Sequence, residues 1–155
     1  MIIHHSTVKR LKTKYNVDIN QFYKDTYMHN QKMFLVKEYK NKVLVKTSLD
    51  IKPSDFVPEN KANIEYHLTV PTNLVLEYLL EMGIEFTLET KSLGKQDNYN
   101  IYSIEISSSE IVIPDQSEFA VLPSLNLAVE TFLLILLERE ILTVNKGIII
   151  LEGNK

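Results

Sequence analysis

Glu65 and His67 form the sharpest chemical pairing in this 155-residue chain. Residues two apart on a strand project to the same side, so this carboxylate and imidazole could share a proton or supply two ligands to a metal ion. A working metal centre needs three or four ligands and further groups that orient them. Spacing supplies no third ligand, so Glu65 and His67 stand as weak candidates for a metal-assisted hydrolase. The expectation ahead of it is a solvated sheet face and no metal. His4 and His5 are adjacent, which sends their side chains apart in a helix or a strand, and His29 is isolated.

The other reactive patterns fail on context. Cysteine is absent, which removes thiolate catalysis, disulfides and Cys-ligated metal sites. Gly94-Lys95 lacks the preceding glycine and the following Ser or Thr of a phosphate-cradling P-loop. Ser107 to Ser109 lie outside the strand, turn and helix setting that exposes a nucleophile. Glu89-x-Lys91 has the spacing of the E-x-K element of metal-dependent nucleases. The same spacing recurs at Glu38/Lys40 and Glu59/Lys61, and the sole Pro-Asp pair, Pro114-Asp115, follows it instead of preceding it. No catalytic residue and no cofactor is assigned, and the chain leans away from an enzyme.

Basic residues make a second candidate. Lys9, Arg10, Lys12 and Lys14 cluster in one segment, and Lys37, Lys40, Lys42 and Lys46 in another, interleaved with Tyr15, Phe22, Tyr23, Tyr27 and Tyr39. Ammonium groups neutralise phosphates and aromatic faces stack on unpaired bases, so Lys9, Arg10, Lys12, Lys14, Lys40 and Lys42 are candidate polyanion contacts. Charge is segregated: residues 1–52 carry 11 Lys/Arg against 4 Asp/Glu, and residues 53–155 carry 6 against 16, within a net charge of −3. The acidic part would repel a polyanion, and a single Arg in the basic cluster offers little bidentate readout.

Elements must position these groups. Residues 6–14 and 18–31 read as helices, the second capped by Asp18, and the runs 33–39 and 42–48 as a hairpin turning near Lys40 and Asn41. The two prolines of 53–61 mark a linker between a basic extension, 1–52, and an acidic domain, 62–155; two separate parts and two parts packed as one globule, each neutralising the other's charge, are equal expectations. In that domain Ile64, Tyr66, Leu68 and Val70 alternate with polar residues as in a one-sided strand. A helix follows over 72–82 with Asn73, Glu77 and Glu81 as its polar stripe, and Gly83 ends it. Strands near 84–89 and 99–107, a helix over 125–142 and a strand near 146–153 complete the order βαββαβ. That order predicts an α+β chain with a ferredoxin-like unit over 62–155, whose helix-free face would carry Glu65, His67, Glu85, Thr87, Glu89, Lys91, Ser103 and Glu105. A faint repeat, Asn73 and Glu77 against Asn126 and Glu130, agrees with its pseudo-symmetry.

The helix over 125–142 is too interrupted by Glu130 and Glu138 to span a membrane, which needs about 20 apolar residues in a row. If Asn126 and Glu130 mark its solvent stripe, Leu133, Leu134 and Leu137 continue it as apolar surface. Ile148 and Ile150 add to that excess on the last strand. These five residues are the expected interaction surface, for a protein partner or a homodimer. The leading expectation is thus a small, soluble, cytoplasmic, non-catalytic protein-interaction protein, such as an adaptor, inhibitor or immunity-type partner. A nucleic-acid-binding protein acting through residues 1–52 is the alternative.

Overall fold

The computed structural model describes residues 2–92, 100–106, 121–122 and 124–151. They form a mixed helix and strand structure with antiparallel sheets. Three α-helices are present among them: α1 (His5–Tyr15), α2 (Thr72–Glu81) and α3 (Leu125–Glu138). The strands are β1 (Gln31–Lys40), β2 (Val43–Pro53), β3 (Ile64–Thr69), β4 (Phe86–Ser92), β5 (Asn100–Ile106), β6 (Val121–Leu122), β7 (Leu142–Asn145) and β8 (Ile148–Leu151). They pair as β2-β1-β3, β4-β5-β6 and β7-β8.

Local chemistry accounts for most boundaries. Asn16 ends α1 in the left-handed conformation, φ 57°, which Asn tolerates better than most residues. Gly83, φ +96°, does the same after α2, as expected. The β1–β2 hairpin turns on Asn41 and Lys42, both at positive φ, the geometry that matches the right-handed twist of the two strands. Asp18 caps as expected, accepting from the Asn20 N–H at 3.0 Å, but the helix that it starts lasts a single 3-10 stretch, Ile19–Tyr23. Thr26 competes for the backbone there. Its hydroxyl donates to the Tyr23 carbonyl and accepts from the Met28 N–H, and Asp25 swings to φ 58°, so the chain turns instead of continuing.

The four-stranded ferredoxin-like sheet expected over 62–155 does not form among the described residues. It requires β3 to lie between β5 and β8, whereas β3 adds antiparallel to β1, Leu35 facing His67 and Lys37 facing Glu65. β1 offers β3 a long open edge, and β8 takes the partner nearest in sequence, β7, through a tight turn at Lys146 and Gly147. Because β3 and β4 belong to different sheets, the single acidic face expected from Glu65 to Glu105 is not assembled.

One buried cluster gathers residues from both sides of 53–61. Ile3, Leu11, Phe22 and Tyr23 pack with Val70, Leu74, Leu79, Phe132, Leu136 and Ile149. Polar groups inside it are mostly paired, the buried Tyr15 hydroxyl at its margin having no partner among the described residues. The Tyr23 hydroxyl donates to the Thr69 carbonyl and accepts from the Met33 N–H at 3.1 Å, and burial pushes its pKa up to about 12, so it stays a neutral donor. Gln21 joins four groups: its amide donates to the carbonyls of Asp18 (2.6 Å) and Gly147 (2.8 Å), and its carbonyl accepts from the Tyr78 hydroxyl (2.8 Å) and the Ile149 N–H (2.9 Å).

Candidate functional site

The hairpin has one covered face and one face that is open along β2, while Met33 of β1 on that second face packs partly against the core. Phe34 and Tyr66 point to the covered side, where Phe56 lies over them with ring centroids 5.6 and 5.5 Å away. Directly paired residues share a face, so the register puts Met33 beside Ile51, Leu35 beside Leu49 and Lys37 beside Thr47 on the opposite side. The register shift between Glu38 and Tyr39 leaves Val45 unpaired and brings Leu44 opposite Tyr39 on that side. Leu49 is 48% and Ile51 54% exposed, and Val43, Leu44 and Val45 are exposed near the tip. β2 is also an edge: no strand pairs with its outer side among the described residues. Edge strands this long and this apolar are templates for pairing unless they are covered.

Beside this strip, β3 carries the Glu65 and His67 pair. The His67 Nε2 lies 3.0 Å from the Glu65 Oε2, so the two share a hydrogen bond as their spacing predicts. The Tyr39 hydroxyl also bonds Glu65, and this contact, with the His67 hydrogen bond and the charges of His67 and Lys37, holds its carboxyl below the usual carboxylate range. Burial, and then the same Glu65 contact, pushes the Tyr39 hydroxyl up. His5, at the start of α1, sits with its ring 4.3 Å from that of His67. Burial, then His67, Lys37 and Lys9, push its pKa down, against the raising effect of Glu65. His5 is the member that sequence reasoning missed. It and His4 do diverge, but the meeting with His67 depends on how α1 docks against β3, which no local spacing encodes. Among the described residues no group of three or more His, Asp or Glu side chains is arranged to hold a metal ion.

α1 and β3 also bound an open groove of about 740 Å³. His5, Val8, Lys9 and Lys12 line it from α1, Tyr66, His67 and Leu68 from β3, residues 16–20 from below, and Lys146 and Gly147 from the β7–β8 turn. Of the six candidate polyanion contacts only Lys9 and Lys12 reach this groove. Lys14 lies over the Tyr15 ring, its Nζ 5.3 Å from the centroid, Arg10 is exposed on α1, and Lys40 and Lys42 sit at the hairpin turn.

No protein family, no curated protein and no solved structure matches this chain.

The geometry alone therefore ranks the candidate surfaces, and it relocates the apolar one. Leu133 and Leu137 are buried in the chain's own core, and Leu134 packs partly against it, so they do not continue a solvent stripe. The stripe itself faces inward. Glu130 is 1% exposed and accepts from the His4 backbone N–H (3.1 Å), the His4 Nδ1 (2.5 Å) and the Asn126 amide (2.7 Å), while the Thr72 hydroxyl bonds the Asn126 carbonyl oxygen. The polar pair seen as a mark of solvent is a buried network that fastens the N-terminal segment to α3. Ile148 (47%) and Ile150 (37%) are exposed with Ile149 buried between them, so β8 is an ordinary one-sided strand. Ser107 to Ser109, Gly94-Lys95 and Pro114-Asp115 lie outside the described residues. No helix among the described residues is long and apolar enough to cross a membrane.

Proposed function

We propose that this is a non-catalytic protein-interaction protein that receives its partner on the open face and free edge of the β1–β2 hairpin. The observation that carries the reading is the exposed ladder Leu44, Leu49 and Ile51 on an 11-residue edge strand without an outer neighbour among the described residues. Strand addition would satisfy the edge N–H and C=O groups and cover the apolar ladder in one step. The occupant that fits is an acidic extended segment with one apolar side. The hairpin carries Lys32, Lys37, Lys40, Lys42, Lys46 and Lys52 against only Glu38 and Asp50. Charge of that sign steers encounter and rejects basic strands.

Two strand-length peptides test it, one alternating Val and Glu, the other Val and Lys. The acidic peptide should bind with an affinity that falls as salt rises, and Leu49→Lys with Ile51→Lys should abolish binding without altering the far-UV circular dichroism, because both side chains are already exposed. Failure of both peptides to bind, together with a monodisperse monomer in light scattering, would overturn the reading.

A further inference from the structure

We infer that the groove between α1, residues 16–20, β3 and the β7–β8 turn binds a small amphipathic anion, a phosphate or carboxylate head on an apolar body. The inference is independent of the hairpin. At about 740 Å³ the groove has the capacity of a small-molecule site, and such sites combine an apolar lining with a few convergent polar groups. Val8, Val17, Ile19 and Leu68 supply the apolar part.

The charged lining is mainly cationic, three lysines against one carboxylate, Asp18. Lys9 and Lys12 lie on the same stripe of α1 as His5 and Val8, and Lys146 approaches from the β7–β8 turn. No carboxylate pairs with any of these three ammonium groups among the described residues. The groove's own carboxylate, Asp18, is engaged by the Asn20 backbone N–H and side-chain amide at 3.0 and 2.8 Å. Glu65, beside the imidazoles, is taken up by Tyr39 and His67. Three unpaired cations around an apolar floor are what an amphipathic anion complements, and neither a neutral ligand nor a free inorganic ion uses both parts.

The walls are held in place. The Asp18 N–H and the Gln21 amide both donate to the Gly147 carbonyl, at 2.9 and 2.8 Å, which clamps the β7–β8 turn to the segment below the groove. Gly147 lies at φ +84°, and a Cβ there would stand 3.3 Å from the Asp18 Cβ, so this close approach calls for glycine. The backbone frame of the groove is thus fixed before a ligand arrives, and only the exposed lysine side chains have to be ordered by it.

The test uses the full chain and phenyl phosphate, benzoate, inorganic phosphate and benzyl alcohol as probes, followed by amide chemical shifts. Phenyl phosphate or benzoate should saturate shifts at Lys9, Lys12, His67 and Gly147, with inorganic phosphate and benzyl alcohol each weaker by about tenfold or more. Bound anion should also raise the His5 pKa, since it opposes the push from His67, Lys37 and Lys9. Lys9→Glu with Lys12→Glu should weaken binding by about tenfold or more, and Lys40→Glu with Lys42→Glu should leave it unchanged. If the first pair prevents folding, Lys146→Gln makes the same comparison. The proposal is overturned by the absence of saturable shifts, by shifts mapping elsewhere, or by a folded Lys9/Lys12 variant of unchanged affinity. It is equally overturned if a single-stranded oligonucleotide displaces phenyl phosphate and needs both lysine pairs, since the cations would then serve a polyanion.

Discussion

Gln21 shows how much of this structure rests on one side chain that carries no sequence signal. Its amide satisfies four groups at once, on the cap of the 3-10 stretch, α2, the β7–β8 turn and β8, and two of those partners lie 57 and 128 residues away. Glu65 and His67 were legible because their relation is local, two residues on a strand, whereas Gln21, His4 with Glu130, and His5 with His67 become partners only after the chain has folded. Gln21→Ala would leave the Tyr78 hydroxyl and the Ile149 N–H without their acceptor. Each stranded buried group costs about 1 to 3 kcal/mol, so a loss of about 3 kcal/mol is expected. It should appear as a lower urea midpoint at unchanged slope, and a loss below about 0.5 kcal/mol would show that water replaces the amide without penalty.

Among the elements, α2 and the turn of the hairpin were legible because period and punctuation agree: an apolar helix with a three-residue polar stripe before Gly83, and β-branched runs around a polar turn; the second strand was read as ending at 48, whereas β2 continues to Pro53 and so includes Leu49 and Ile51. The segment after Asp18 was not, because the hydrophobic spacing of Ile19, Phe22 and Tyr23 suits a helix while Thr26 and Asp25 turn the chain away. α3 misled for a different reason. Asn126 and Glu130 have the spacing of a solvent stripe, and hydropathy cannot distinguish a polar group facing water from one facing His4. β7 was absorbed into that helix, since Ile141 and Leu142 continue its apolar run, although Glu140 at φ 59° has already broken it. The β1–β2 turn keeps a residual strain at Lys42, φ 65°, where a Cβ is disfavoured. Lys42→Gly should relieve it and stabilise the protein by about 0.5 to 1 kcal/mol, offset in part by the greater freedom of glycine in the unfolded chain. Thermal unfolding measures the net sign, and a clear fall in midpoint would mean that the lysine makes a contact worth more than the strain.

At the scale of the whole molecule, the segregated charge and the prolines of 53–61 suggest two parts, while the contacts join them. β3 completes the sheet begun by β1, the Ile3 N–H donates to the Val70 carbonyl at 2.9 Å, His4 satisfies the buried Glu130, and Gln21 holds the last strand. Each of these links crosses from residues 1–52 to residues 62–155, and each leaves a buried group unpaired if one part opens alone. Opening of the basic part would also strip Phe22 and Leu11 from the shared core. Local opening therefore costs nearly as much as complete unfolding, which is the condition for a single cooperative transition. The chain has eight tyrosines and no tryptophan, so tyrosine fluorescence, weighted toward residues 15–39 and 66–78, can be compared with far-UV circular dichroism across a urea titration. The two curves should superimpose with one midpoint and one slope. Separate midpoints, with the tyrosine signal moving first, would mean that residues 1–52 detach while the acidic part stays folded, and the boundary at 53–61 would then divide two domains in energy as well as in charge.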